Sequence, residues 1–505
     1  MLARIARLPL LVVLLGVIGC LTLLPATHAL TTDDHETARA FFYSGLMLLL
    51  LAAMLGIATA GFNPRNVSRS HLGSLVGAYL LLPFAMMLPL VEAVPDTTLL
   101  NAWFEMTSAL TTTGASVFPP DRLSDSVHLW RAVIGWFGGY LILLGAYAIL
   151  APLNLGGFEV ATGRVPGRGS APLLPMAGEM GPALRLTRIA FRILPLYLAL
   201  TAALWFGLLL AGESATSALI YAMGTLSTSG IRGQDLLGAG ASPVIAEMLV
   251  FVFLLFALSH RALKGLGLGR TGPLTRDPEL RLAAGILVSV TAILLLRHAF
   301  ATNETGNPAS LSGLFAAAWG ALFTSASFLT TTGFVSSFWP QATDWFGLGT
   351  PGLLLLGLAL FGGGVATTAG GVKLLRIYTL LRQGERELER IIHPNSIGSG
   401  GVEARRLRRD GALLAWVFFV LFAVTIAITM AVLLLLGQEF EPALVLGIGA
   451  LTTTGPLAST ATASSVSYAD LPELVKVTLG YAMIVGRLET LALIALFLPL
   501  VRQSD

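Results

Sequence analysis

Charge is what this sequence has least of. Asp, Glu, Lys and Arg make up 12% of its 505 residues, half of what a soluble domain carries, and that shortage excludes an ordinary soluble globule. Cysteine is nearly absent: Cys20, inside an apolar run, is the only one, so no disulfide framework exists. There is no HExxH, no GxSxG, no Cys/His cluster, no Walker A signature and no GxGxxG after a strand, and the histidines are scattered. These absences argue against an enzyme and against nucleotide binding by this chain.

What fills the space is apolar sequence. Hydrophobic residues make up 55% of the chain, with a mean hydropathy of +0.79. They gather in nearly charge-free runs such as 8–26, 41–62, 74–91, 132–153, 193–211, 243–258, 350–369, 411–436 and 477–501. Several reach the roughly 20 residues a helix needs to cross the hydrocarbon layer. The expected fold class is therefore an all-α polytopic membrane protein; a β-barrel would show short alternating segments instead. The cations cluster between runs: Arg164, Arg168, Arg185, Arg188 and Arg192; then Arg261, Lys264, Arg270, Arg276 and Arg281; then Lys373 to Arg409. Short basic loops stay on the cytoplasmic side, whereas the connection with Asp33, Asp34 and Glu36 is acidic. Because the cations alternate with spans, topology explains them better than nucleic-acid binding does. The start, MLARIARLPLLVVLLGVIGCLTLLPATHA, has the parts of a cleavable signal peptide; we expect it to be a retained first span.

One polar phrase recurs inside this apolar background. "LTTTGAS" (110–116), "LSTSGIR" (226–232), "LTTTGFV" (329–335) and "LTTTGPL" (451–457) end their hydroxyl-rich runs on Gly114, Gly230, Gly333 and Gly455. The glycines lie 103 to 122 residues apart, as in a repeat architecture. Each phrase follows a semi-polar element ("LNAWFEMTSAL", "ESATSALIYAMGTL", "LFAAAWGALFTSASFL", "FEPALVLGIGAL"), and the first, second and fourth of these are too short to cross a bilayer. Those three begin near Glu105, Glu213, and Glu439 with Glu441, acids that would complement a helix N-terminus. The sequence thus predicts four pseudo-repeats of span, pore helix, loop and span around a central pore, after two extra N-terminal spans. The expected divisions are 1–66, 67–160, 161–270, 271–400 and 401–505.

Non-helical backbone at membrane depth is tolerated only in a protein-lined or water-lined setting. Four such loops around one axis satisfy this together. Glycine permits a left-handed backbone, and carbonyl and hydroxyl oxygens from four loops can replace the hydration shell of an alkali cation. For a single phrase, ordinary helix-packing chemistry is the simpler explanation; four occurrences in the same context are not explained by it. An alternating-access transporter also uses broken helices, but it predicts inverted repeats, whereas these four phrases all point the same way.

The surrounding residues resemble the Trk/Ktr/HKT superfamily of potassium transporters, in its Trk (TrkH-like) branch. The resemblance rests on "FEMTSALTTTGASV" (104–117), "WRAVIGWFGGYLILLGAYAILAPLNLGG" (130–157), "FGGGVATTAGGVKLLRI" (361–377) and "IVGRLETLALIALFLP" (484–499). It implies a filter made of Thr112, Thr113, Gly114 and Ala115; Thr228, Ser229, Gly230 and Ile231; Thr331, Thr332, Gly333 and Phe334; and Thr453, Thr454, Gly455 and Pro456. The four glycines favour potassium over sodium by that resemblance. Arg232 departs from the family pattern, a cation that would weaken ion entry or alter selectivity; the plain alternative is a solvated mouth residue paired to an acid such as Asp235.

The resemblance also implies a gate. Gly362, Gly363, Gly364, Gly370 and Gly371 break a helix, since each costs about 1 kcal/mol against alanine, and would form an intramembrane loop under the filter. Lys373 follows, either as part of the gate or as a snorkelling span end. Arg487, inside the last span, would project toward the pore or pair with a buried acid, with Glu105 or another repeat's acid the expected partner because Glu489 lies on another side of the helix. No cofactor is expected in this chain, K+ being the transported ion. The implied partners are a second copy, a cytoplasmic ring of nucleotide-binding subunits and the lipid bilayer, with the chain in the bacterial inner membrane.

Overall fold

The computed structural model describes residues 8–61, 67–153, 155, 157, 182–238, 240, 242–259, 277–304, 311–343, 352–393, 402–462 and 465–489. All regular structure among these residues is helical. The basic stretches around Arg164 and Arg168, and from Arg261 to Arg276, lie outside the described residues, as does the last span beyond Glu489.

The N-terminal region is α1 (Leu10–Leu21) running into α2 (Leu23–Thr31), then α3 (His35–Ala58). Asp34 caps α3 by accepting from the Thr37 amide at 3.1 Å, and Glu36 sits in its first turn, the sign a helix start favours. His28, on α2, bridges Ser126 (2.8 Å) and Thr216 (3.1 Å), so this segment is fastened to the body of the protein. The chain continues with α4 (Val67–Ala93), α5 (Leu99–Leu110), α6 (Asp125–Gly145), α7 (Pro182–Leu210), α8 (Ala215–Leu226), α9 (Pro243–Leu254), α10 (Pro278–Glu304), α11 (Leu311–Leu329), α12 (Gly352–Phe361), α13 (Leu374–Ile392), α14 (Val402–Leu435), α15 (Phe440–Leu451) and α16 (Glu473–Leu488).

Eight of the helical segments are long and apolar enough to cross a membrane. They divide by what covers them. The span starting at Asp125 is 94% buried within the protein, whereas that of Gly411–Leu435 is 22% buried and exposes Leu413, Trp416 and Ile428. The first is wrapped by other helices and the second offers its apolar surface to lipid, which needs no polar partner.

The four helices that precede the glycine phrases are α5, α8, α11 and α15. Three of them have 12 residues and α11 has 19; at 1.5 Å per residue the short ones reach about 18 Å, little more than half the hydrocarbon thickness. Each packs against the long helix before it and also against a helix of the neighbouring repeat: α8 on α6, α11 on α9, α15 on α12, and α5 on α16. That last contact joins α16, after the fourth phrase, to α5, before the first, and closes a ring.

Candidate functional site

Each of the four helices ends in the same way. In the first, Thr112 N bonds to Ala109 O (2.9 Å) and Thr113 N to Ser108 O (2.8 Å), the paired bonds of a Schellman motif. The equivalents are Ser229 N to Gly224 O (2.9 Å), Thr332 N to Ser327 O (2.9 Å) and Thr454 N to Gly449 O (2.7 Å). The left-handed position of that motif usually holds glycine. Here it holds Thr112, Thr228, Thr331 and Thr453, with φ of 56°, 52°, 57° and 54°. A β-branched residue there is a real outlier, costing roughly 1–3 kcal/mol, four times over. Hydroxyl pairs flank the strained residue in every phrase: Thr111 with Thr113 (2.8 Å), Ser227 with Ser229 (2.9 Å), Thr330 with Thr332 (3.0 Å) and Thr452 with Thr454 (3.2 Å). Nothing in the local residue preferences points to threonine at the left-handed position.

The glycines explain why the phrases are brought together. A Cβ on Gly114 would fall on the Ser229 carbonyl, one on Gly230 on the Thr332 carbonyl, one on Gly333 against the Pro456 ring, and one on Gly455 against the Ala115 backbone. Each phrase therefore touches the next in chain order and the fourth touches the first, where Gly455 N also donates to Thr113 O at 2.7 Å. Gly114, Gly230 and Gly333 have φ of 73°, 62° and 81°. Gly455 differs from the expectation: its φ is not positive, and it is required by close approach alone. Its carbonyl accepts from the Tyr468 hydroxyl at 2.9 Å. All four glycines, with Ile231, Phe334 and Pro456, line one cavity of about 720 Å³; Ala115 is buried behind it.

Buried carboxylates fix the strands that leave the ring. Glu247, on α9 and fully buried, accepts from Trp319 Nε1 (2.8 Å), Ser336 Oγ (2.7 Å) and Ser337 N (2.7 Å). Glu213 accepts from Gly238 N (2.8 Å). Glu105 accepts from Val117 N (3.0 Å) and pairs with Arg131 at 2.5 Å. This corrects the sequence expectation for Glu105: it lies inside α5 rather than at its start, and it holds the departing loop and Arg131, not Arg487. Glu247 was not foreseen, because its partners lie 72 to 90 residues away. Replacing Glu247 with alanine takes the acceptor from three donors, at about 1–3 kcal/mol for the buried Ser336 hydroxyl and less for the partly buried Trp319 and Ser337 N–H groups. The expected result is a fall in melting temperature in detergent matching roughly 3–5 kcal/mol, with Glu247→Gln losing less; unchanged melting would contradict the latch.

Directly beneath the ring lies a finger of chain between α12 and α13. Its base is pinched by Val372 N to Leu360 O, Lys373 N to Phe361 O and Leu374 N to Gly363 O, each 3.0 Å. Gly362 and Gly371, with φ of 69° and 76°, lie where its two arms cross with no room for a Cβ. Gly363 and Gly364 press on the Ala257 and Leu258 carbonyls, and Gly370 on the Thr452 carbonyl. The tip reaches three quarters of the ring: Thr368 Oγ1 donates to Leu226 O (3.2 Å), Gly370 N to Thr331 Oγ1 (2.7 Å), and Gly370 abuts the fourth phrase. Glu279 accepts from Val365 N at 2.8 Å.

Two cations clamp this finger. Lys373, 7% exposed and with φ of 83°, donates to the Ala369 carbonyl; it is not a snorkelling span end. Arg487, 4% exposed, donates through Nη1 to the Thr368 carbonyl at 2.6 Å. Neither the expected Glu105 nor the neighbouring Glu489 forms an ion pair with it. Glu105 is held by Arg131, and Glu489 pairs with Arg376 at 2.7 Å, whose guanidinium stacks 3.5 Å over Phe418. The residues brought together are thus Gly362 to Gly371, Lys373 and Arg487. Across from them, α6 continues as a π-helical turn at Ala146–Leu150, a feature enriched at functional sites that lines the same small cavity as Lys373 and Arg487.

The family described as TrkH, cation transport protein, matches residues 286–504. The Trk system potassium uptake protein TrkH of Halomonas elongata is 30% identical over 84% of this chain and 83% of its own length. The protein of the same name from Salmonella typhimurium is 29% identical over 94% and 95%. The crystal structure of the potassium transporter TrkH from Vibrio parahaemolyticus superposes with a TM-score of 0.78 at 26% identity, covering 99% of both chains. A closed ring of four glycine phrases, a finger beneath it and relatedness along nearly the whole chain agree: this protein belongs to the TrkH family of cation transport proteins.

Proposed function

We propose that this chain is the ion-translocating membrane subunit of a potassium-uptake system, passing K+ through the ring of glycine phrases under control of the finger at 362–373. The observation that carries the reading is the ring itself, in which four separate segments supply equivalent loops and each glycine makes room for the next loop. The filter residues are Thr112 to Ala115, Thr228 to Ile231, Thr331 to Phe334 and Thr453 to Pro456. The gate is Gly362, Gly363, Gly364, Gly370, Gly371, Lys373 and Arg487. The relatives named above are potassium uptake proteins, which supports K+ as the ion.

The 720 Å³ cavity is the outward mouth, and the basic loops face the cytoplasm, as the distribution of Lys and Arg supports. The protein sits in the bacterial inner membrane. It works as a homodimer with one pore per protomer, and the cytoplasmic side docks a ring of nucleotide-binding regulatory subunits. The chain divides at 66, 160, 270 and 400 into the N-terminal pair of spans and four pore repeats.

Reconstitution into liposomes tests this. Rubidium uptake should follow the ion's own electrochemical gradient at any imposed pH gradient and exceed sodium uptake. Uptake of neither ion overturns the reading, and strict dependence on a proton gradient replaces it with coupled transport. In the same assay, deleting 362–371 should raise basal rubidium uptake several-fold, because the obstruction under the ring is gone. Preserved low uptake in the folded deletion variant would show that the finger is not the gate.

A further inference from the structure

The wall of the outward cavity has an electrostatic peculiarity for a cation entrance. Its lining includes Arg131 and Arg232 but no aspartate or glutamate. Arg131 is neutralised by Glu105. Arg232, two residues beyond the ring glycine Gly230, is exposed, and among the described residues no carboxylate lies within ion-pair distance of it. The acid expected to pair with it, Asp235, instead accepts from Ser217 Oγ at 2.8 Å. Arg232 is therefore a charge in the cavity lining with no contact ion pair, the Asp235 carboxylate being engaged by Ser217 nearby.

We propose that Arg232 is a specificity-determining residue: its charge, not paired at contact distance, depletes cations in the cavity ahead of the ring, steeply with their valence. It thereby raises the half-saturating concentration for potassium and protects the ring from divalent cations. This barrier rests on the reading of the ring as a potassium filter and stands in front of it. Low-dielectric walls focus the field of a charge into a cleft. At contact distances in water a unit charge changes local monovalent concentration by roughly two- to fivefold, and divalent concentration by about the square of that factor. Salt screens the effect, since the screening length falls from about 30 Å at 0.01 M to about 3 Å at 1 M.

The test uses the full-length protein in liposomes, with wild type, Arg232→Lys and Arg232→Gln compared at sub-saturating rubidium. Ionic strength is set with choline chloride at the low and high ends of that range. Arg232→Gln should take up rubidium roughly two- to fivefold faster than wild type at low salt, with the ratio closing toward one at high salt. Inhibition by external barium should tighten by a larger factor than rubidium uptake gains, and Arg232→Lys should behave as wild type. A Gln/wild-type ratio of one at low salt, a ratio indifferent to salt, or a lysine variant that matches glutamine overturns the proposal. If wild type takes up no rubidium at any salt, the potassium reading falls as well, so the two failures are told apart by the wild-type control.

Discussion

Arg487→Ala is expected to raise rubidium flux through the reconstituted protein by about tenfold or more. The guanidinium is 4% exposed, held against the finger at the Thr368 carbonyl, and among the described residues no carboxylate lies within ion-pair distance of it. Two separate barriers go with it. A permeating cation meets a like charge, worth up to about 4 kcal/mol at 4 Å for an effective dielectric of 20, so tenfold is a cautious reading of the electrostatic part. Removing Nη1 also frees the Thr368 carbonyl and loosens the finger tip from α16. Arg487→Lys keeps the charge and discards the planar fork. If charge sets the barrier, lysine stays near wild type; if the clamp on Thr368 sets it, lysine resembles alanine. Unchanged flux in a folded Arg487→Ala protein would remove the residue from the gate.

The second large effect is expected at the ring. Gly230→Ala should lower the preference for rubidium over sodium by about tenfold, equivalent to 1.4 kcal/mol of discrimination. An alanine at φ of 62° carries a left-handed cost of about 1–2 kcal/mol, and its Cβ would overlap the Thr332 carbonyl of the next phrase. The second and third quarters must separate, and oxygens placed for one ion size no longer match it. Competitive uptake of the two ions, with melting temperature as a control for folding, reads this out. An unaltered preference would mean that the contact between quarters does not govern selectivity.

Much of this arrangement was legible in the sequence, and the parts that were not share a physical reason. The apolar runs foretold the spans because a bilayer sets helix length. The four phrases foretold a ring because irregular backbone at that depth needs company, and the glycine-rich "GGGVATTAGG" foretold a broken helix because glycine is costly in one. Pairings of buried charge were not legible. Arg131 takes Glu105, Arg376 takes Glu489 from 113 residues away, and Arg487 donates to a backbone carbonyl beside Tyr79. No periodicity encodes such choices, which depend on how helices rotate as they pack. The left-handed threonines were hidden for a different reason: local preference points to the neighbouring glycine, and only the surrounding ring holds threonine there against its strain. Gly455 shows the converse, a glycine conserving space rather than conformation.

The central claim is that four loops meet to hold a cation. Anomalous diffraction from crystals grown in rubidium or thallium tests it most directly. The account predicts density on the axis enclosed by Gly114, Gly230, Gly333 and Gly455, lost when potassium is in excess and weakened in Gly230→Ala. An empty ring in crystals that bind the ion elsewhere would contradict it.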